Sequence, residues 1–489
     1  MAAPSRRPTL AVVVLGAFLC SLAAALSSAE AKVHHHTWDI AYRRKSLDCF
    51  EKLAVTVNGE APGPTIRATQ GDTVAVTVRN MLETENTGIH WHGILQRGSP
   101  WADGTVGVTQ CPILPGESFT YRFVVDRPGT YLYHEHYGMQ RVAGLDGMLV
   151  VSESDGVVKP FTYDEEPPSS SWTVSADQRS RNVRLLSCCS RRRLQCLVRL
   201  AGAVHRRAGE DLPRPHSSLN FEIEGHSMTV VEADGHYVRP VVVDSLFVYS
   251  GETYSVLVKA DQDPSRNYWA ASHVVGRRRE TPSALAVLSY AGNDPRSPPP
   301  AGPAWDDAAP RVAQSRSPAA AHPDHVLPAP PRPDRTLLLL NTQNRIDGHV
   351  RWAINGLSLR FPATPYLVSM KRGLRGAYDD QRPPADAYDN YRSFDIASPP
   401  AANGTVASAA YRLALGSVVD VVLQNTAALN GRSETHPWHL HGHDFWVLGY
   451  GEGKFEQHSL NILRSEESDP LQDQKSLILW QTTQVLWLA

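Results

Sequence analysis

The sequence has few features that would direct it to nucleic acid or to a membrane surface. Its 48 Lys and Arg residues nearly balance its 50 Asp and Glu residues, which gives a net charge of −2 at pH 7 with His neutral. Without a surplus of positive charge, no long-range field draws nucleic acid or an anionic bilayer to the chain. Beyond the N-terminal region, no apolar run is long enough to cross a bilayer. We therefore expect no nucleic-acid partner and, once the N-terminus is removed, no membrane partner.

Sulfur-containing side chains are scarce. The chain has six cysteines and six methionines, and neither residue type occurs from Asp444 to Ala489, where the only histidine is His458. Cys20 lies in the N-terminal apolar run, which leaves five cysteines for the mature protein. An odd number in a secreted chain leaves at least one thiol without a partner inside the chain.

The N-terminus has the features of a secretory signal. Two arginines precede the apolar run 10–26, and an Ala-Glu-Ala triplet at 29–31 offers a cleavage site. The alternative, a membrane anchor, is disfavoured because the run is short for a spanning helix. We predict a signal peptide over residues 1–31 and a secreted, extracellular glycoprotein, with Asn403 glycosylated in the Asn-Gly-Thr acceptor sequence.

Alternating apolar residues predict strands throughout the chain. The pattern is clear at 71–80, 116–125, 251–260 and 416–425, and each segment begins with a glycine. Segments 71–80 and 416–425 both end in Asn, and each leads about ten residues later into a histidine cluster. This repetition predicts an all-β fold made of Greek-key β-sandwich domains.

Composition divides the chain into domains. We expect domain 1 over 32–155, domain 2 over 156–300, a Pro-rich linker over 301–334 and domain 3 over 335–489. The stretch 165–216 departs from the pattern, because it holds ten arginines and three cysteines with little periodicity. A polyanion-binding patch is disfavoured there by the near absence of aromatic residues. We therefore predict that 165–216 is aberrant or disordered.

Histidine pairs carry the chemistry of the sequence. Three His-x-His pairs are present: His90/His92, His134/His136 and His439/His441. In a strand, residues i and i+2 project to the same face, so each pair would present two imidazoles side by side. With His436 the set reaches seven, which exceeds the four ligands of a structural zinc site and predicts a metal cluster between domains. The triplet 34–36 lies beside the cleavage site, and we interpret it as a mobile terminus.

The chain resembles the multicopper oxidases in three motifs. These are IHWHGILQRGSPWADGT (89–105), YHEHYGMQRVAGLDGMLVV (133–151) and SETHPWHLHGHDFWVLGYGEGKF (433–455). The flanking words VVEADGHY (230–237) and RWAINGLSL (351–359) favour the plant L-ascorbate oxidase family over laccases. The resemblance implies three cupredoxin-like domains, of which the second is interrupted and the third incomplete.

The resemblance also implies roles for individual residues. The type 2 copper would be held by His90 and His439. One type 3 copper would be held by His92 and His134, and the other by His136 and His441. A type 1 copper would bind His436, Asp103 would assist proton delivery, and Trp352 would belong to the ascorbate pocket. Cys49 and Cys111 match cysteines that form disulfides in the family.

The implied activity couples one-electron oxidation of ascorbate to four-electron reduction of O₂ to water, in the apoplast or cell wall of a plant. Ascorbate and O₂ would be the small-molecule partners, and copper would be the cofactor. The sequence does not decide whether the chain forms a homodimer. The alternatives are a laccase-like phenol oxidase, a non-catalytic copper-binding protein and a non-folding product.

The C-terminal region departs from the family. The family carries a later His-Cys-His segment, whereas the tail 456–489 has neither a cysteine nor a matching histidine context. A blue copper site needs a cysteine and two histidines, so the type 1 site would be incomplete. The type 3 pair would be partial and the type 2 pair complete. The family partners of Cys49 and Cys111 also fall where this sequence departs. We therefore expect little or no turnover from this chain.

Overall fold

The structure, a computed structural model, describes most of the chain between residues 31 and 445. The described residues are 31–45, 51–164, 171–174, 185–189, 195–202, 218–275, 283–290, 314, 332–379, 404–431 and 436–445. Strands dominate them, so the all-β prediction is confirmed. No helix within these ranges has the length and apolar character that a bilayer crossing requires. Residues 1–30 of the predicted signal peptide, most of the linker and the tail 456–489 lie outside the described residues.

Domain 1 is a sandwich of two four-stranded sheets. Its described strands are β1 (Val33–Lys45), β2 (Lys52–Val57), β3 (Ile66–Thr69), β4 (Thr73–Asn80), β5 (Ile89–His92), β6 (Ser118–Val124), β7 (Gly129–Glu135) and β8 (Asp146–Ser152). The sheet orders are β2-β1-β4-β6 and β3-β8-β7-β5. Val74, Val76 and Val78 of β4 are buried in one core with Trp38 and Trp91, as the period-2 pattern predicts. This core fixes strands β5 and β7, which carry the histidines of domain 1.

The histidine triplet 34–36 is part of strand β1, so the prediction of a mobile terminus is wrong. Strand β1 pairs in parallel with β4, with Val33 opposite Thr73 and Ile40 opposite Asn80. The His34 ring also lies 2.7 Å from a carboxylate oxygen of Asp72. Parallel pairing joins segments distant in sequence, and local periodicity cannot show it.

Domain 2 is a sandwich of two five-stranded sheets. Its described strands are β9 (Ser171–Val174), β10 (Leu185–Cys189), β11 (Gln195–Gly202), β12 (Ser218–Ile223), β13 (Met228–Ala233), β14 (His236–Val243), β15 (Ser245–Val248), β16 (Thr253–Lys259), β17 (Tyr268–Val275) and β18 (Ala284–Tyr290). The sheet orders are β10-β18-β17-β12-β15 and β14-β13-β16-β11-β9. Phe221, Tyr254 and Tyr268 are among the large side chains of its core.

Three of these strands lie in the segment 165–216, which was predicted to be aberrant or disordered. Strand β11 pairs antiparallel with β16 from Gln195 to Ala201, and Val198 and Leu200 are buried in the domain core. The expected disorder therefore does not extend to the strands. The rest of the segment lies outside the described residues, and its aberrant origin stays a prediction.

Domain 3 contributes one described sheet, of order β22-β21-β20-β19-β23. Its strands are β19 (Arg335–Ile346), β20 (His349–Ile354), β21 (Leu357–Leu359), β22 (Thr405–Ala407) and β23 (Val419–Asn425), and one helix, α1, spans Tyr366–Arg372. Leu337 and Leu339 of β19 pack with Trp438, which lies in the histidine stretch of this domain. The sheet thereby anchors the stretch that follows it.

A buried polar network joins domain 1 to domain 2. Glu232 of β13 accepts a hydrogen bond from the Thr130 backbone N–H at 2.5 Å, and its other oxygen accepts one from Ser255 Oγ. The Arg199 guanidinium donates to Thr130 Oγ1 at 2.6 Å and lies 3.5 Å from the Glu232 carboxylate. These side chains are all nearly inaccessible to water. The second domain is therefore attached to strand β7, which carries His134.

Candidate metal centre

Strand pairing places the histidines of domain 1 next to each other. Strands β5 and β7 are antiparallel neighbours, with His90 opposite His134. Trp91 points to the other face, where its ring packs against Trp38 and Tyr133 in the sandwich core. The prediction that each His-x-His pair shares a face of a strand therefore holds for His90 and His92, whose ring centroids are 5.5 Å apart.

The histidines of domain 3 reach the same place from a turn. His439 and His441 flank Leu440, which forms a β-bridge, and His441 and Gly442 form a turn. Within the described residues no named strand covers this pair, so its expected strand stays a prediction. Gly442 has φ +67°, and a Cβ at this position would lie 3.2 Å from the Leu95 carbonyl oxygen of domain 1. Glycine therefore lets the turn approach the backbone of domain 1 closely.

Six imidazoles meet where domains 1 and 3 touch. His90 Nε2 lies 3.3 Å from His439 Nε2, and His134 Nε2 lies 3.4 Å from His92 Nδ1. The His92 and His439 rings stack at 3.6 Å between centroids. The rings of His136 and His441 complete the cluster, with centroids 5.4 Å apart. The structure thus brings together the six residues that the resemblance assigned to the type 2 and type 3 sites.

Two groups of these residues have the spacing of a metal site. The possible ligand atoms of His90, His92 and His439 lie within 4.8 Å of one another. The same holds for His90, Asp103 and His441. Both groups contain His90, which is almost completely buried. A single buried imidazole therefore lies at the centre of the cluster.

Hydrogen bonds to neighbouring oxygens fix how the rings are oriented. His90 Nδ1 lies 2.9 Å from the Asp103 carbonyl oxygen, and His134 Nδ1 lies 2.7 Å from the Glu135 carbonyl oxygen. In each case Nδ1 is the donor, which directs Nε2 of the same ring toward the other histidines. Outer partners of this kind orient the ligands in metal sites.

Asp103 lies beside the His90 and His441 rings of the cluster. Its carboxylate accepts a hydrogen bond from Thr105 Oγ1 at 2.6 Å and lies 3.0 Å from His441 Nδ1. Burial alone would raise the pKa of Asp103, but its interaction with His90 and the hydrogen bond from His441 together hold it well below the usual range. The carboxylate is therefore ionised at neutral pH and accepts hydrogen bonds from its neighbours.

Burial lowers the pKa of five of the six cluster histidines and so favours their neutral form. Burial, followed by the mutual repulsion of the rings, holds the pKa of His92, His136 and His439 well below 6.5. Burial and repulsion from His90 lower the pKa of His441 to about 4. Neutral imidazole is the form that binds metal.

The donor set fits copper. Imidazole nitrogens suit copper among the divalent metals, and the cluster provides several of them within a few ångströms in neutral form. Thiolate ligands do not occur among the described residues of the cluster. The set therefore resembles a histidine-rich copper site more than a cysteine-containing zinc site or an iron–sulfur site.

His436 occupies a separate position. It is buried, and its ring lies 4.3 Å from the ring of Trp352 in an edge-on arrangement. Burial lowers the pKa of His436 to about 4, so this imidazole is also neutral. His443 is exposed, and its Nδ1 donates to the His441 carbonyl oxygen at 3.0 Å. The structure thus brings Trp352 to His436 and leaves His443 at the rim.

The remaining predicted site residues stay untested. Cys111 is exposed and its thiol has no disulfide partner among the described residues. Cys49 and Asn403 lie outside the described residues. The predicted disulfides and glycosylation therefore remain predictions.

Sequence reasoning missed several residues around the cluster. Thr105 follows Asp103 by two positions. Its hydroxyl group, so close in sequence to a carboxylate, could have been recognised as a hydrogen-bond donor to Asp103. Arg127 binds the carboxylate of Asp444, the residue after His443. The backbone N–H of Arg141 donates to the Glu135 carboxylate at 3.0 Å. Nothing local in the sequence marks Arg127 or Arg141.

A cavity of about 710 Å³ opens onto the cluster where the three domains meet. His92, His134 and His136 line it from domain 1, and His439 lines it from domain 3. Domain 2 adds the half-buried Asp234 and the buried Glu252. Small molecules therefore have a space in which to reach the imidazoles.

Comparison with known proteins agrees with this geometry. Three family models, each described as multicopper oxidase, match residues 39–156, 215–293 and 380–485. The L-ascorbate oxidase of Cucumis sativus is 44% identical, over 87% of this chain and 79% of that protein. The L-ascorbate oxidase of Brassica rapa subsp. pekinensis is 43% identical, over 90% and 84%. Laccase-2 of Oryza sativa subsp. japonica is 32% identical, over 88% and 82%.

Solved structures show the same fold. Fet3p, a multicopper oxidase that functions in iron import, superposes with a TM-score of 0.67 at 22% identity, over 86% of this chain and 77% of that one. A laccase from Botrytis aclada superposes with a TM-score of 0.61 at 21% identity, over 87% and 77%. Together with the three family matches and the identity to the curated relatives, the six-histidine centre between domains 1 and 3 shows that this chain belongs to the multicopper oxidases.

Proposed function

We propose that the chain is a secreted, copper-dependent oxidase of the L-ascorbate oxidase type. It would couple one-electron oxidation of ascorbate to four-electron reduction of O₂ to water. Relatives named L-ascorbate oxidase at 41–44% identity support this substrate over the phenols of laccases, whose named relatives are 30–32% identical. The predicted signal peptide supports location in the apoplast or cell wall.

The observation that carries the proposal is the convergence of six imidazoles from two domains on one centre, where four of them line a single cavity. His90 and His439 would hold a type 2 copper, and His92 with His134 would hold one type 3 copper. His136 and His441 would hold the other. Bound copper would supply the redox chemistry by which O₂ is reduced. The protein contributes neutral, oriented imidazoles and a cavity through which O₂ and water can pass.

Asp103 would assist proton transfer at this centre. Its ionised carboxylate holds His441 through Nδ1 and accepts the hydroxyl proton of Thr105 in a hydrogen bond. A carboxylate in this position can receive a proton from water and pass it toward the cavity. The same contact orients the His441 ring, so loss of the charge would affect both proton transfer and ligand geometry.

Ascorbate would act at the other end of domain 3, beside Trp352. The edge of this indole lies against His436, so a reductant bound there would be close to the type 1 position. An aromatic face also provides a flat surface for a small ring compound.

Electron entry would be impaired in this chain. A blue copper site needs a cysteine thiolate beside its histidines, and the sequence has no cysteine after Cys196. His436 would therefore lack its thiolate neighbour, although the six-imidazole cluster can still bind copper. A non-catalytic copper-binding protein is the second candidate function, and this absence of cysteine is the observation that favours it.

Copper analysis of the purified secreted chain tests the proposal. We expect copper to bind with an EPR signal but without an intense blue absorption, and O₂ uptake with ascorbate near the background rate. The variant His439→Gln should lose copper, whereas His349→Gln, at an exposed position of β20, should not. Blue absorption, or rapid O₂ uptake, would contradict the impaired state. Absence of bound copper would contradict the proposed cofactor, and faster uptake with a phenol than with ascorbate would favour the laccase-like alternative.

A further inference from the structure

Side chains from all three domains meet at one ionic contact beside the metal centre. Arg127 lies in the loop between β6 and β7 of domain 1, and Asp444 follows the histidine turn of domain 3. Arg127 Nη1 lies 2.5 Å from Asp444 Oδ2, and Nη2 lies 3.2 Å from Oδ1. His236, at the start of β14 in domain 2, lies 3.6 Å from Asp444 Oδ1. We call Arg127, Asp444 and His236 the three-domain contact.

The arginine is itself held in place. Its Nε donates to the Tyr131 hydroxyl at 3.1 Å, and Tyr131 is buried in β7. The Tyr131 ring packs closely on Gly93, which follows His92, because a Cβ at Gly93 would lie 2.7 Å from the ring. The guanidinium is therefore fixed relative to the strands that carry the histidines of domain 1.

The bidentate geometry makes this contact directional. Two parallel N–H···O bonds between a guanidinium and a carboxylate fix both distance and angle. The Arg127 side chain is 21% exposed and the Asp444 side chain is 35% exposed. Pairs with this degree of exposure add little to global stability. Loss of the Arg127–Asp444 pair should therefore change the position of the turn and leave the free energy of unfolding nearly unchanged.

Asp444 is close to the ligands along the chain. It stands three residues after His441, and a Cβ at Gly442 between them would lie 3.2 Å from the Leu95 carbonyl oxygen of domain 1. The turn thus passes close to domain 1 at Gly442 and is bonded to it at Asp444, and His439 precedes both positions. A shift of the Asp444 end would move His441 relative to Asp103 and His90.

We infer that Asp444, held by Arg127, is a positioning residue that sets the placement of His439 and His441 against the histidines of domain 1. The inference deepens the proposed copper function and rests on it. The contacts of Arg127 and Asp444 described above are with each other, with Tyr131 and with His236, and not with the six histidines of the cluster. Their effect on metal binding would pass through the turn.

Cupric ion binding to the full chain tests the inference. Asp444→Asn should weaken cupric ion affinity about tenfold, the lower end of the loss seen when outer partners of metal ligands are removed. The EPR spectrum of the bound cupric ion should broaden or split into several species, because the ligands no longer have one geometry. Asp444→Glu, which keeps the charge, should recover most of the affinity.

Asp39→Asn is the matched control. It breaks a similar bidentate pair, in which Arg79 Nε and Nη2 lie 2.5 and 2.9 Å from the Asp39 oxygens, on strands β1 and β4 of domain 1. This control should leave copper affinity and the EPR spectrum unchanged. A purely structural ion pair at Asp444 would behave in the same way as Asp39, and that result would overturn the inference.

Amide hydrogen exchange of the copper-free protein tests the positioning role of Asp444 independently of the proposed copper function. Asp444→Asn should speed exchange in peptides covering 436–445, while peptides of β13 and β16 should exchange as in the wild type. If the wild-type chain binds no copper, the proposed function fails, and the exchange experiment still decides whether the contact positions the turn. Unchanged exchange and unchanged copper affinity in Asp444→Asn would refute the positioning role.

Discussion

Domain 1 meets its two neighbours through interfaces of different chemistry. Toward domain 2 it presents the Thr130 backbone and hydroxyl to the buried pair of Glu232 and Arg199. Toward domain 3 it presents a face of imidazoles to another set of imidazoles. The first interface is satisfied by the protein alone, because donors and acceptors are matched. The second brings together similar neutral rings, and a metal ion would complete it. The stability of the interface with domain 2 should therefore depend on the protein alone. The stability of the interface with domain 3 should also depend on bound metal.

The largest effect is expected from Arg199→Ala. The substitution removes the cation from a buried carboxylate, and such losses cost about 3–5 kcal/mol of unfolding free energy. Chemical denaturation should give the same loss with and without copper, because the network does not involve the metal centre.

Arg266→Ala is the control for this substitution. Its partner Glu224 lies 2.9 Å away, but the Arg266 side chain is 34% exposed, and such pairs contribute about 1 kcal/mol or less. A cost for Arg199→Ala that depends on copper would show that the two interfaces are not separate.

Copper should stabilise the interface with domain 3 selectively. At a free concentration a thousandfold above its dissociation constant, a ligand adds about 4 kcal/mol to the state that binds it. Hydrogen exchange should slow in peptides covering 89–92 and 436–445, and a chelator should reverse the change. Peptides of β13 should not respond, and uniform slowing across the chain would argue against this localisation.

Gly104→Ala should disturb the side of domain 1 that faces the metal. Gly104 has φ +89°, and a Cβ there would lie 1.7 Å from the Ile89 carbonyl oxygen of β5. Backbone cannot yield easily at this point, so we expect a loss of about 3 kcal/mol from overpacking and strain together.

Gly116→Ala provides the comparison in thermal or chemical unfolding. Gly116 also has positive φ (+81°), but nothing lies within 4 Å of a Cβ there, so the cost should be about 1 kcal/mol. Equal losses for the two variants would mean that the turn can move away from β5.

A further expected effect is a pH dependence on the domain 2 side. Burial, then repulsion from Glu232, raises the pKa of Asp234 to about 7. The folded protein then holds a proton that the unfolded chain releases above its ordinary pKa, near 4. Stability from this group is complete below pH 4 and is lost as pH rises to 7, by about 1 kcal/mol for each pH unit.

Asp234→Asn should remove this slope when unfolding is measured in copper-free buffers from pH 4 to 8. The residue has φ +46°, which Asn tolerates. Asp261→Asn, at an exposed position of the same domain, should keep the wild-type slope. Identical slopes in all three proteins would show that Asp234 does not retain its proton.

Local sequence patterns predicted the parts of the centre that depend on strand geometry. His90 and His92 share a face because β5 is a strand, and Trp91 faces the core for the same reason. The motif WADGT drew attention to Asp103 through family resemblance, and the structure places this residue beside His90 and His441. The turn at His441 and Gly442 was not predicted, because a strand and a short turn can carry the same His-x-His spacing.

Contacts between distant segments could not be predicted in this way. Arg199 of β11 and Glu232 of β13 form an ion pair although strand β16 lies between them in the sheet. Nothing in the arginine-rich stretch distinguished this buried arginine from its neighbours. Arg127 and Asp444 are separated by more than three hundred residues. Their meeting depends on how whole domains dock, which composition and periodicity do not report.

The cavity at the junction of the domains has a kinetic consequence. At roughly 30 Å³ for each water molecule, its volume of about 710 Å³ is large enough for a substantial pool of solvent against the histidine rings. Metal ions and small chelators could then exchange through this pool without any strand leaving its sheet. We expect copper to behave as an exchangeable constituent whose occupancy follows the free copper of the surroundings, rather than as a cofactor locked in during folding.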